Sequence, residues 1–206
     1  YTNFNSEVRN DSSLSNDKVF IVFRDSKNRI WIGTAGGLNL FDEENHTFRQ
    51  FHISDGLPSE AVYGIVEDEH NGLWLSTGNG LSRFDPETET FKNYNTGDGL
   101  QGREFKPNAY AKLKSGEIIF GGNNGFNLFN PDNISDNSFI PPVVFTEFRI
   151  FNTPIDPSDS SPLTKHISIA EKVTLSHHHS VFSIEFAALS YNSPEKNNFA
   201  YRLEGF

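Results

Sequence analysis

The chain has 206 residues, 35% of them hydrophobic and 21% charged, with a formal net charge of −10. A field of that sign opposes phosphate backbones and anionic lipid, and no basic stripe overrules it, so nucleic-acid binding is not expected. There is no Cys, which excludes disulfides, thiolate zinc sites and a Cys nucleophile.

Twenty Phe, six Tyr and two Trp, with 16 Gly and 10 Pro for turns, fit an all-β chain of many short strands. No apolar run reaches the roughly 20 residues of a membrane helix. In chain order, residues 1–11 read as the last strand and exit loop of an earlier unit. A repeat follows. Leu14, Leu57 and Leu100 are spaced 43 residues apart. The same spacing joins Val19 to Val62, Trp31 to Trp74, Thr34 to Thr77, Leu38 to Leu81, Phe41 to Phe84 and Phe48 to Phe91. The units run 14–56, 57–99 and 100–134. The third gains two residues early, so Ile119 (at the Trp position), Gly125, Phe126 and Phe129 stand 45 residues beyond their counterparts.

A period near 43 is that of a four-stranded propeller blade. The first unit predicts strands at Val19–Arg24, Ile30–Thr34, Leu38–Asp42 and Phe48–Phe51. The second predicts Val62–Glu67, Leu73–Thr77, Leu81–Asp85 and Phe91–Tyr94. Gly37, Gly80 and Gly125 recur at one turn, as a positive φ would require. Trp31, Trp74, Leu38, Leu81, Phe126, Phe41, Phe84 and Phe129 form the expected core, since an aromatic or aliphatic residue repeated at the blade period is explained by packing between blades. Three units do not close a ring, so the natural protein is expected to continue before Tyr1.

The landmarks stop near Pro131, Pro141 and Pro142. Residues 141–206 predict strands at Val143–Ile150, Ile167–Leu175, Val181–Ala187 and Phe199–Leu203, with a long loop over 152–168. The expected architecture is all-β: a partial β-propeller over 1–140, of about three four-stranded blades, then the start of an Ig-like β-sandwich over 141–206. Both parts read as pieces of larger domains, and the isolated chain is expected to fold poorly.

The units resemble the two-component regulator propeller repeat. Leu57, Val62, Ile65, Glu67, Asp68, Gly72, Leu73, Trp74, Leu75, Thr77, Gly80, Leu81 and Phe84 follow its pattern. The first unit follows it with Val19, Asp25, Trp31, Ile32, Gly33, Thr34, Gly37, Leu38 and Phe41. It departs at Arg24, and at Arg29 where a turn Gly is usual. The tail resembles the Y_Y_Y domain that follows such propellers, through Phe182, Ser183, Ile184, Phe186, Tyr191, Pro194, Tyr201, Leu203, Glu204 and Gly205.

The resemblance implies the periplasmic part of an inner-membrane sensor in which a membrane helix and a cytoplasmic output, often a histidine kinase, lie outside this chain. Members known from gut Bacteroidetes sense carbohydrate breakdown products. A homodimer in the parent protein, an oligosaccharide ligand and no cofactor are what it implies. The region itself is expected to be non-catalytic. The alternatives are a passive interaction propeller and, with less support, a propeller lyase or hydrolase, which would need inward His, Asp or Glu at matching blade positions.

The candidate ligand surface is one rim of loops, because function concentrates on loops held by a rigid scaffold. Its residues are Asn79, Asn123 and Asn124 in turns, and Arg103, Glu104 and Lys106 in an extended third entry loop. His177, His178 and His179 suggest a metal, but only alternate residues of a strand share a face, so they read as an exposed turn and no metal is expected. Asp-Gly-Leu at 55–57 and 98–100 lacks the ligand spacing of a calcium loop and reads as turn chemistry.

Overall fold

The computed structural model describes residues 1–134, 141–159, 161–189 and 199–202. It divides into two compact units, Tyr1–Asp136 and Asn137–Phe206. Among the described residues, no helix is long and apolar enough to cross a membrane.

The first unit is three antiparallel meanders. β1 (Val19–Arg24), β2 (Ile30–Thr34), β3 (Gly37–Asp42) and β4 (Thr47–Phe51) pair in sequence order. So do β5 (Val62–Glu67), β6 (Leu73–Thr77), β7 (Gly80–Asp85) and β8 (Thr90–Tyr94). The third sheet holds β9 (Phe105–Lys112), β10 (Ile118–Gly122) and β11 (Gly125–Phe129). These are propeller blades, and β1, β5 and β9 are their innermost strands. Gly37, Gly80 and Gly125 open the third strand of each blade at φ +136°, +95° and +104°. A Cβ at Gly37 would also stand 2.6 Å from the Phe51 carbonyl oxygen, so both conformation and space demand glycine. Asp-Gly-Leu builds turns: the Asp55 carboxylate accepts the His52 N–H and that of Asp98 the Asn95 N–H, both at 2.8 Å.

The core lies between blades. Trp31 meets Phe84 of the next blade at 5.4 Å, and Trp74 meets Phe129 of the third at 4.7 Å. Trp31, Trp74, Leu38, Leu81 and Phe84 are buried, while Phe41 and Phe129 are half-buried. Phe126 differs from the expected core set, being 65% exposed. Its counterpart Leu38 packs in a cluster with Phe51 of its own blade and Leu57 of the next. Among the described residues, no fourth strand and no further blade covers β11 in that way.

Each innermost strand is bulged at the same register. Val19 pairs with Thr34 and Ile21 with Gly33, leaving Phe20 over. Val62 pairs with Thr77 and Gly64 with Ser76, leaving Tyr63 over. In β9, Phe105 pairs with Gly122 and Tyr110 with Phe120. Residues 106–109 then stand opposite Gly121 alone, and Asn108 takes φ +61°. The two extra residues of the third unit therefore sit in this enlarged bulge. Lys106 belongs to strand β9, rather than to an extended entry loop as the sequence suggested.

The second unit carries one described sheet, with β12 (Val143–Ile150) between β13 (Thr153–Pro154) and β14 (Phe182–Ala188). Phe148, Ile150, Leu163 and Ile167 form its core. The strand expected over Ile167–Leu175 is absent. Ile167–Ile169 is a 3-10 turn that buries Ile167 and exposes Ile169. The alternating apolar residues there mimic a strand's period, but the His166 side chain accepts the Ser168 N–H and curls the chain. Residues 199–202 form no strand, and Leu203 lies outside the described residues. So do Tyr191, Pro194, Glu204 and Gly205.

Candidate functional site

Blade topology separates two ends. The turns after β1 and β3, and their equivalents, define a hairpin end. The turn after β2 and the loop entering the next blade define an entry end.

The hairpin end is built around two buried carboxylates. Asp25 and Asp68 are 4% and 5% exposed. Oδ2 of Asp25 accepts from Trp31 Nε1 at 2.9 Å and Arg29 Nε at 2.6 Å. Its Oδ1 accepts the backbone N–H groups of Lys27 and Arg29. Asp68 repeats this with Trp74 Nε1 at 3.1 Å, Arg83 Nε at 2.8 Å and the N–H groups of His70 and Gly72. Each carboxylate thus fastens the hairpin turn and the interblade Trp together.

The cation comes from two different places. In the first blade it is Arg29, in the turn; in the second it is Arg83, on β7. Position 29 corresponds to Gly72, and position 83 to Leu40. A Cβ at Gly72 would collide with the Arg83 guanidinium and stand 2.7 Å from Asp68 Oδ2. Gly72 does not have a positive φ, so its glycine is explained by the space Arg83 occupies. This accounts for Arg29, the first unit's departure from the repeat pattern. The third blade keeps the turn's backbone bond, Leu113 N–H to Glu117 O at 2.8 Å. There Leu113, Ile119 and Leu128 replace the Asp, Trp and Arg.

Burial raises the pKa of both carboxylates, but hydrogen bonds oppose it and win. Trp31 and Arg29 hold Asp25 below the usual range, and Arg83, Gly72 and His70 do the same for Asp68. With folded values below the unfolded value of about 3.9, their stabilisation is complete above that pH and is lost as pH falls through the folded values. Urea midpoints measured by Trp fluorescence should therefore drop below about pH 4. Asp68→Asn should flatten that drop; an unchanged pH slope in the variant would refute the assignment.

Salt bridges and hydrogen bonds also lace neighbouring blades at this end. Glu67 accepts the N–H and hydroxyl of Ser26 at 2.8 and 2.7 Å. Glu87 binds Lys27 and Arg29, Glu69 binds Lys112, and His70 meets Asp132. The hairpin end is an internal fastening.

The entry end brings most of the rim candidates together where the second blade meets the third. Asn79 Nδ2 donates to the Pro58 carbonyl at 3.2 Å, and Gly80 N–H donates to the Arg103 carbonyl at 2.5 Å. Asn123 Nδ2 donates to Glu104 Oε2 at 2.8 Å, and Asn124 bonds Gln101. Asn79, Arg103, Glu104, Asn123 and Asn124 are all exposed. Lys106 is exposed in the bulge.

Sequence reasoning missed Phe20 and Tyr63, the bulged residues of β1 and β5. Their rings meet edge to face at 4.9 Å across two blades. The 43-residue spacing joins them too, and a bulge is where a side chain is re-aimed. Lys18 Nζ lies 5.2 Å from the Phe20 ring centroid. In the second unit, His177 and His178 sit in an exposed turn, and His179 Nδ1 accepts the Ser176 N–H. Among the described residues, no three His, Asp or Glu gather as a metal site.

The first two blades are two-component regulator propeller repeats: residues 13–36 and 56–79 match the family described as Two component regulator propeller. Each matched segment contains the Asp and Trp of one lock. The chain is also homologous to part of Histidine kinase P4 of Formosa agariphila, at 33% identity over 256 aligned residues covering all of this chain. Among solved structures it resembles the extracellular domain of BT3049 of B. thetaiotaomicron, described as a hybrid two component system. That match has 29% identity and a TM-score of 0.67 over 88% of this chain. The chain spans 19% of the kinase and 24% of the BT3049 chain. Its relatives are thus two-component sensors, and the region resembles their extracellular, non-catalytic part.

Proposed function

We propose that this chain is part of the extracytoplasmic ligand-sensing region of a two-component sensor, that it reads an oligosaccharide at the entry end, and that the second unit, a Y_Y_Y-type domain, relays the signal towards a membrane segment and kinase. The observation that carries this reading is the contrast between the two ends of one repeat scaffold. The hairpin end spends its polar groups on fastening blades. The entry end carries exposed Asn79, Asn123 and Asn124 on its turns, the cations Lys18, Arg103 and Lys106, and a half-buried aromatic pair in the bulges of β1 and β5, which suits a polyhydroxyl ligand. The extracellular placement of the BT3049 domain supports a periplasmic location.

Binding would act by differential affinity for two arrangements of a sensor homodimer. A thermal-shift screen of an oligosaccharide library tests the sensing role. A hit raises the melting temperature through mass action. A clean negative across neutral and charged sugars moves the reading to a passive interaction propeller.

A further inference from the structure

The unpaired cations of the first unit are unevenly placed. Arg24, Lys27, Arg29, Arg49, Arg83 and Lys112 cluster towards the hairpin end, and each meets a carboxylate. Lys114 is the exception there. At the entry end, Lys18, Arg103 and Lys106 have no carboxylate partner among the described residues. Acids of that end are engaged with other partners. Asp17 accepts the Ser6 N–H, Glu104 accepts Asn123 Nδ2, and Glu60 accepts the Ile53 N–H and meets His52.

A chain of net charge −10 has ample carboxylates to neutralise three exposed cations. Here three stay open at the entry end, against Lys114 at the hairpin end and Arg9 in the first residues. Two of them flank the bulges. Lys18 immediately precedes β1 and lies over Phe20, while Lys106 opens the enlarged bulge of β9. Between them on β5 is Tyr63, half-buried, with its hydroxyl 3.6 Å from where a Cβ on Gly78 would stand. Lys18 thus caps the Phe20–Tyr63 pair on one side, and the bulge of the next inner strand, β9, carries Lys106.

We propose that this inner mouth is the specificity site and that it takes an anionic oligosaccharide, bearing uronate or sulfate groups. Sugar carbons would lie against Phe20 and Tyr63, and the acidic groups would pair with Lys18 and Lys106. Arg103 would offer a bidentate contact at the neighbouring loop. The inference rests on the sensor reading above and adds the charge class of its ligand.

Calorimetric titration of the protein with two probe sets tests it: oligogalacturonates and chondroitin sulfate oligosaccharides as anions, xylo- and cello-oligosaccharides as neutral sugars. The anionic set should bind, and more weakly as salt rises. The Lys18→Ala/Lys106→Ala variant should lose about tenfold or more in affinity, equivalent to about 1.4 kcal/mol. Lys114→Ala, an exposed lysine at the other end, should lose none. Both lysines are exposed, so their removal leaves the core intact. Binding of neutral sugars alone, or anion binding unchanged in the double variant, would overturn the charge assignment and leave the sensor reading standing. Binding by neither set would overturn both.

Discussion

Asp68→Ala should cost about 3–5 kcal/mol, the penalty for breaking a buried charge pair from one side. The substitution strands Trp74 Nε1 and the N–H groups of His70 and Gly72, and deprives Arg83 of its partner. Each unsatisfied buried donor costs about 1–3 kcal/mol, and these costs overlap rather than add. Both Trp residues, Trp31 and Trp74, are blade residues, so fluorescence in urea reads blade stability directly. The third blade shows how the same turn is held without charge. Copying it with Asp68→Leu, Trp74→Ile and Arg83→Leu together should cost less than the sum of the three single losses, because an apolar set leaves no orphaned partner even though Trp74 is lost from the interblade core. A triple variant as unstable as the sum of its parts would contradict that.

The second large effect is an exchange between blades. Arg83→Leu alone removes the cation from a carboxylate whose side chain is 1% exposed, and should cost about 3 kcal/mol. Gly72→Arg alone forces a side chain into the space of the Arg83 guanidinium, at about 1–3 kcal/mol. The double variant gives the second blade the first blade's arrangement, with the cation in the turn and Leu beside the Trp. It should be more stable than either single variant, with a coupling of about 1–3 kcal/mol. Additive losses in the double-mutant cycle would mean that the two arrangements are not interchangeable.

Much of the blade architecture is legible in the sequence because the repeat encodes it three times. Short β runs between turn residues place β1 to β8 to within a residue, and Gly37, Gly80 and Gly125 mark turns that only positive φ explains. The carboxylate locks are half legible. Asp25 and Asp68 recur with their Trp, but the exchange of Arg29 for Arg83 appears only when the pairing of Trp31 with Leu40, and of Trp74 with Arg83, is known. A one-letter spacing does not reveal which residues are neighbours across a sheet.

The candidate site is less legible. Its loop residues stand out as polar turn positions, but Phe20 and Tyr63 look like ordinary strand residues until the register slips beside them. The extra residues of the third unit could equally lie in a loop, which is where length changes are usually absorbed. Outside the repeat, alternation alone misleads: Ile167, Ile169, Val173 and Leu175 carry a strand's pattern, yet a local side-chain bond and the burial of Ile167 turn the chain instead. Phe126 fails as a core residue for another reason, since its burial depends on a covering strand rather than on its own type.

Hydrogen–deuterium exchange of the protein with and without oligogalacturonate tests most directly the claim that ligand is read at the entry end. Bound sugar should slow exchange at the amides of residues 59–64, 78–81 and 101–109 and leave the turns at 25–29 and 68–72 unchanged. Protection confined to those hairpin turns or to the second unit would contradict it.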